Sequence, residues 1–384
     1  METALYYREN MSRSIALLLV IFLTATSVLV FSPVNAEPRT IVVPDDYPTI
    51  NAAIESASDG DTILVRNGTY HENVQVIKAI KLIGEDNQET RIDGNSAEGY
   101  WVPLALRHDN AFVSNLNLCN SHVGIQLSTV TNCTVVGNRV VANRFGIESG
   151  WNSSGNTIIG NIIASNSEGI EINGGTNNLI IGNEILSNNI GIYLTEQSYD
   201  NSIIGNMIDN NRDYGICIRM SWDNIFVNNT VTNTGENAIA VAFANNNTFR
   251  HNNFINNTQQ YHDGGENVPK DLAPYYVGYT SKNIFEENYW SDYHSGDYDG
   301  DGEGDSAYTV YTKNTDLTPL AAPVKLPEIT FPSEYAPPAF PPPDSATEIF
   351  SSLFIVAASV VAVTVASAGL LVYLRKRKRQ AFTG

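Results

Sequence analysis

The chain has 384 residues, 42% of them hydrophobic, which suffices for one large domain with appendages. Its formal charge is −19, with 41 acidic against 22 basic residues, and so acidic a body excludes nucleic-acid binding as its function. Three cysteines, Cys119, Cys133 and Cys217, show no Cys-x-x-Cys spacing and do not share one lateral row, which argues against a disulfide framework.

The first 36 residues read as a signal peptide. Arg8 and Arg13 precede an apolar run from Ile15 to Leu23 that continues to Phe31, and Val34-Asn35-Ala36 offers a small-residue cleavage site. An uncleaved anchor is the alternative. From 37 to 318 the pattern is that of a single β domain. It opens with a short amphipathic helix over 48–57, in which Ile50, Ala53, Ile54 and Ala57 share a face and Thr49 is placed to cap the N-terminus. Asp59-Gly60-Asp61 then turns the chain into Thr62-Ile63-Leu64-Val65, and Ile80 to Ile83 supplies the next apolar run.

Through the middle runs a ladder of asparagines, Asn115, Asn138, Asn161, Asn183, Asn206, Asn229 and Asn252, with gaps of 23, 23, 22, 23, 23 and 23. A second row follows five residues behind: Asn120, Asn143, Asn166, Asn188, Asn211, Thr234 and Asn257. Short β-branched runs recur in phase, as Ile158-Ile159-Gly160-Asn161 and Gly169-Ile170-Glu171-Ile172 do, and no repeat contains an 11-residue helical face. Three short strands and three corners per ~23 residues make one turn of a right-handed parallel β-helix, about 8–10 coils in all, with successive coils ~4.8 Å apart. Asparagine suits such a coil because it tolerates left-handed corners and stacks by hydrogen bonds on its equivalent one coil away.

The outward residue two places after each Gly reads Gln126, Glu148, Glu171, Tyr193, Cys217, Ala240. Glu148 and Glu171 are expected one coil apart, near the ~5 Å carboxylate separation of a retaining glycosidase. They are the candidate catalytic pair. Trp151, Asn173, Tyr193, Arg219 and Trp222 are the candidate substrate-binding residues, with Thr195 and Tyr199 beside them, because carboxylates next to aromatic platforms suit a polysaccharide. An ordinary polar outer row is the bland reading of the same residues. The three-aspartate cluster of a polygalacturonase and the calcium-arginine cluster of a pectate lyase are both missing.

Towards the end of the domain, a closing segment over 288–310 contains Asp297-x-Asp299-x-Asp301-Gly302-x-x-Asp305. Oxygen ligands at alternate residues with a Gly to turn the loop suit Ca²⁺ in a structural role. Tyr308 stands where an EF-hand would place its Glu, so the loop is a partial one, and Asp292 is a candidate additional ligand. A solvated acidic turn is the alternative. Nine of the 16 prolines then fall between Pro319 and Pro343, and 319–348 reads as a stiff stalk. Residues 349–374 carry no charge and are long enough to span a bilayer of ~30 Å. Arg375 to Arg379 begin a basic tail, 375–384, that belongs on the cytoplasmic side. The expected topology is single-pass in the cell membrane, with the body outside. Without signal and tail the outer part holds 39 acidic and 15 basic residues. Six Asn-x-Ser/Thr sequences, at Asn67, Asn132, Asn152, Asn228, Asn246 and Asn256, permit glycosylation there.

The opening Pro48-Thr49-Ile50-Asn51-Ala52-Ala53-Ile54, with Asp59 to Val65, Gly68-Thr69-Tyr70-His71-Glu72-Asn73 and Lys81-Leu82-Ile83-Gly84, resembles pectin-lyase-like β-helix proteins. The closing Asn288-Tyr289-Trp290-Ser291-Asp292-Tyr293 and Gly300 to Tyr308 resemble the NosD-like group, whose motif reads NYWSDY…GDGIGDTPY. Here Glu303 replaces the usual Ile, and Ser306-Ala307 replace Thr-Pro. The resemblance covers roughly 40 to 320 and speaks for the fold more than the activity. Through the family it also implies copper. Copper prefers His, Met or Cys in proximity, whereas His71, His108, His122, His251, His262, His294, Met207 and Met220 are scattered along this chain.

Three function classes remain, in this order: a surface-anchored, non-catalytic β-helix that binds polysaccharide or cell-envelope glycans or builds the envelope layer; a carbohydrate-active hydrolase or lyase using Glu148 and Glu171; and a copper-handling accessory protein.

Overall fold

The computed structural model describes residues 37–94, 101–264, 281–311 and 314–325. The expected signal peptide (1–36), most of the expected stalk (326–348), the expected membrane segment (349–374) and the expected basic tail (375–384) lie outside the described residues. Among the described residues no helix is long and apolar enough to cross a membrane. The described residues from Thr40 onwards belong to one compact unit, the coil described below.

That unit is a right-handed parallel β-solenoid of about nine turns. Each turn contributes one strand to each of three sheets, of 13, 10 and 9 strands. In one turn, Thr134–Val136 lies in the first sheet, Arg139–Val141 in the second and Phe145–Ser149 in the third. The middle residue of each three-residue strand points inward, so equivalent residues stack over one another. Val135, Ile158, Ile180, Ile203, Phe226, Phe249 and Phe285 form one such column. Val140, Ile163, Ile185, Ile208, Val231, Phe254 and Trp290 form the next. All are essentially buried. The columns change from aliphatic to aromatic towards the C-terminal end, where Phe226 stacks on Phe249 at 4.6 Å and Phe254 on Trp290 at 4.4 Å between ring centroids.

The asparagines form three interior ladders. In the first, the backbone N–H and Nδ2 of each residue both donate to Oδ1 of the Asn one turn ahead, at 2.9–3.1 Å, from Asn138 through Asn161, Asn183, Asn206, Asn229 and Asn252 to Asn288. Nδ2 also donates backwards to a strand carbonyl, as Asn183 does to Ile158 O at 2.9 Å. The second ladder joins Asn143, Asn166, Asn188 and Asn211. A third, which the spacing analysis did not single out, joins Asn156, Asn178, Asn201, Asn224, Asn247, Asn283 and Asn314.

Two expectations are corrected here. Asn115 and Asn120 are not ladder members: the register sets Asn115 against Gly137, and it is the Leu116 N–H that donates to Asn138 Oδ1. Likewise Ser121, not Asn120, meets Asn143. Nor do the ladder asparagines adopt the left-handed conformation. The residue before each one does: Gly137, Gly160, Gly182, Gly205, Asn228, His251 and Glu287 have φ between 52° and 64°. The left-handed residue turns the corner, and the turn directs the next side chain into the core.

The ends are closed differently. At the N-terminal end, helix α1 (Ile50–Ser56) buries Ile50, Ala53 and Ile54 against the first turn. Thr49 Oγ1 accepts from Ala52 N, and the Glu72 carboxylate accepts from Ile50 N and Asn51 N at 2.9 and 3.0 Å. Four first-turn amides have no partner within a helix, so these bonds satisfy donors that burial would otherwise strand. At the other end, Tyr308–Tyr311 and Asn314–Asp316 pair antiparallel over the last rung, so the closure runs six residues past 310. Asp316 is fully buried there and terminates the first ladder. It accepts from Asn288 N, Asn288 Nδ2 and Trp290 Nε1 on Oδ2, and from Glu287 N and Thr318 N on Oδ1.

Replacing Asn183 by Ala strands the buried Asn161 N–H and several carbonyls, each stranded group costing about 1–3 kcal/mol. The expected loss is about 2–4 kcal/mol by denaturant unfolding, whereas Glu184→Ala on the exposed neighbour changes stability by less than ~0.5 kcal/mol. Equal losses would remove the ladder from this account.

Candidate functional site

The outer face of the nine-stranded sheet gathers the chemistry. Outward residues there lie in register: Ala105, Gln126, Glu148, Glu171, Tyr193, Cys217, Ala240, His262. Glu148 and Glu171 are direct neighbours on adjacent strands, ~4.8 Å apart at the backbone. Asn173 aligns with Thr195, and Arg219 follows in the same row. Asn173, Tyr193 and Arg219 therefore flank the carboxylate pair on one face.

A second row, three residues earlier in each strand, reads Phe145, Glu168, Ile190, Tyr214. It exists because a glycine interrupts the in-out alternation. At Gly169 a Cβ would come 2.5 Å from the Gly191 carbonyl of the next turn, so only glycine permits this close approach. The interruption places Glu168 beside Glu171 and makes a trio of carboxylates with Glu148.

Glu171 is 7% exposed, and burial pushes its carboxyl up to about 7, with the charges of Glu168 and Glu148 adding to the rise. Arg144 and a hydrogen bond from Asn173 oppose it. Glu168 is also raised, first by burial and then by Glu148, and its Oε2 is buried without a hydrogen-bond partner. Glu148 is held on its other side by Gln126 Nε2 at 2.9 Å, and Gln126 in turn accepts from Arg107 Nη2 at 2.6 Å. Arg144 lies 5.0 Å above the Phe145 ring. Burial raises the Tyr193 hydroxyl, opposed by hydrogen bonds to Thr195 and Arg219. Burial likewise pushes the Cys217 thiol up to about 12, leaving it protonated and inert near neutral pH.

The aromatic candidates sit on the adjoining corner between the third and first sheets. Tyr199 and Trp222 stack with centroids 6.4 Å apart and planes within 3°. Trp151 is 53% exposed and lies over Gly174, where an added Cβ would meet its ring at 2.9 Å. Sequence reasoning missed Glu168, Arg144, Arg107 and Phe145. The available signal for Glu168 was its place directly before a repeat glycine, where other turns carry Val123, Phe145, Ile190 or Tyr214.

The aspartate loop is a separate constellation. Asp297, Asp299 and Asp301 each direct one carboxylate oxygen to within 4.8 Å of the others. Gly300 and Gly302, at φ 79° and 93°, fold the loop, and Asp297 accepts from the amides of both, at 2.7 and 3.0 Å. Asp305 stands outside the trio and accepts from Tyr298 N, while Asp292 accepts from the Tyr308 hydroxyl at 3.0 Å. Among the described residues this is the one group of three His, Cys, Asp or Glu side chains close enough to share an ion.

The raised Glu171 carboxyl has a consequence for stability. Its folded value lies above the ordinary 4.5, so stability is fully present below ~4.5 and lost as pH rises towards 7. Glu171→Gln is expected to stabilise the chain at pH 8 by on the order of 2 kcal/mol, with no gain at pH 4. Thermal melts of both proteins at the two pH values decide this, and an equal gain at both overturns it.

The family model described as periplasmic copper-binding protein (NosD) matches residues 49–295. A cell surface glycoprotein of Methanothermus fervidus is 29% identical over 118 residues, which is 30% of this chain and 19% of that protein. The chain thus aligns with about a fifth of that relative's length. Among solved structures, an alginate lyase from Paenibacillus sp. str. FPU-7 superposes with a TM-score of 0.51 at 15% identity, covering 64% of this chain and 97% of the lyase. At that identity the likeness is one of fold.

Proposed function

We propose that this chain, which belongs to the NosD family, is an outward-facing glycan-binding β-helix, held at the cell surface by the apolar segment 349–374. The observation that carries the reading is the juxtaposition of an aromatic ledge, Tyr199 on Trp222, with the in-register polar face of Glu148, Glu171, Asn173, Tyr193 and Arg219. Sugar rings offer apolar faces to aromatic platforms and hydroxyls to carboxylates, amides and guanidinium groups. The family extends outside the cytoplasm, and the cell-surface relative is in keeping with that location.

A second reading rests on Glu171. A carboxyl with a value of about 7, beside Arg144 and within reach of a bound glycan, suits a general acid or base near neutral pH. The reaction would be hydrolysis or elimination at a glycosidic bond. One experiment addresses both readings. The purified chain is screened against neutral and uronate-containing polysaccharides, for binding and for new chain ends. Tyr199→Ala with Trp222→Ala is expected to weaken binding about tenfold, or ~1.4 kcal/mol. Glu171→Gln is expected to leave binding and to abolish any cleavage. No binding across the panel removes the first reading, and no cleavage by the wild type removes the second.

The aspartate loop is read as a structural calcium site that pins the closing segment. Its donors are carboxylate oxygens, which suit a hard cation and not copper. The described histidines and cysteines join no group of three that could share an ion. Chelation is expected to lower the melting temperature by a few degrees, and Asp301→Ala to remove that response. A melt indifferent to chelator and calcium overturns the assignment.

A further inference from the structure

Two groups of asparagines in this coil differ in their surroundings. Those in the ladders are buried and their Nδ2 atoms donate one to three hydrogen bonds each, three in Asn161, Asn183 and Asn206. The six in Asn-x-Ser/Thr sequences, Asn67, Asn132, Asn152, Asn228, Asn246 and Asn256, are all outside the ladders. None of their Nδ2 atoms makes a hydrogen bond to the described residues. Five of the six, all but Asn67, occupy left-handed corner positions, φ 52° to 59°.

The coil explains the division. Two residues after an asparagine of the first or third ladder comes the inward residue of a strand, such as Val140, Ile163 or Ile158. A hydroxyl there would enter the core. Two residues after a corner asparagine comes the first, outward residue of the strand, such as Thr134 or Thr248. Acceptor sequences are thereby confined to positions where both the amide nitrogen and the hydroxyl reach the surface. Asn228 departs from this. It is half-buried, and the hydroxyl of its Thr230 is buried and accepts from Asn253 Nδ2 at 3.1 Å.

We propose that Asn67, Asn132, Asn152, Asn246 and Asn256 carry N-linked glycans and that Asn228 is passed over. The donor is an oligosaccharide linked through phosphate to a membrane lipid. Nδ2 forms the new C–N bond at the anomeric carbon, the C–O bond to phosphate breaks, the lipid phosphate leaves, and a base takes the amide proton. The assignment rests on the outward location proposed above. Its placement is specific. Along the corner row Asn132, Gly155, Asn177, Asp200, Asp223, Asn246, acceptor sequences stand only at the two ends. Tyr199 and Trp222 lie between those ends, two and three turns after the corner that carries Asn152, so sugars would border the aromatic ledge without covering it.

The test is peptide mass spectrometry of the full chain isolated from the envelope of its source organism, before and after chemical deglycosylation. Glycopeptides are expected at the five sites, with unmodified peptides at Asn228 and the ladder positions. A variant with Thr69, Thr134, Ser154, Thr248 and Thr258 changed to Ala keeps every corner asparagine and is expected to lose the whole glycan mass. Unmodified peptides at three or more of the five sites, or a glycan on Asn228, overturn the assignment. Protease shaving of intact cells reads location separately: a shaved but unmodified chain ends this assignment and leaves the outward location standing.

Discussion

A parallel coil of ~23 residues meets one recurring difficulty. At every corner the backbone leaves the sheet ladders, and its N–H and C=O groups face a dry interior where an unpaired group costs about 1–3 kcal/mol. The buried asparagines resolve this by acting as extra peptide groups. Within a ladder an Oδ1 takes two donors from the turn before and an Nδ2 returns to carbonyls within reach, as in Asn183. The bonds fix both the height of each turn and its register, because a slip of one residue would put a carboxamide outside and an aliphatic side chain against the corner. Insertions are tolerated only between rungs. The step from Asn252 to Asn288 spans 36 residues in place of 23, yet the amides still meet at 3.0 Å.

The ladders have a direction, and the direction dictates their ends. At the start only a donor is needed, and the backbone amides of Leu116, Ser121 and Cys133 provide it. At the finish an asparagine would present Nδ2 to a turn that does not exist. Asp316 has acceptors alone and gathers five donors. Asn314, which ends the third ladder, keeps its amide and finds Tyr261 Oη and Ser281 O instead. The two solutions follow from the same inventory of donors and acceptors.

Period and in-out alternation survive in a sequence because every turn repeats them, and they gave the coil, the inward Ile and Val columns and the neighbouring Glu148 and Glu171. A spacing of 23 is shared by every row of the repeat, however, so it could not distinguish Asn115 from Leu116 as the rung. The third ladder hides for a related reason. The residue before it varies among Gly155, Asn177, Asp200 and Asp223, whereas glycine precedes four successive members of the first. Glu168 was invisible because a glycine shifts the side-chain phase within its strand, and a strict two-residue alternation puts it inside. The carboxylate trio therefore depends on a local departure from the rule that revealed the rest.

Because strand alternation separates inner columns from outer rows, each turn contributes to the site without constraint from the core. Three carboxylates on adjacent strands would repel if all were ionised, and burial raises the cost for Glu171 and Glu168. With its carboxyl pushed up to about 7, Glu171 can hold a proton near neutral pH and relieve this. A protonated Glu171 donates a hydrogen bond where an ionised one can only accept, which widens the set of sugar hydroxyls and ring oxygens it can meet. If this face meets a glycan as proposed, binding and proton transfer would draw on the same displaced equilibrium. What would separate the two readings is whether a glycan presents a scissile bond to that proton, a property of the ligand's pose and not of the coil that supports it.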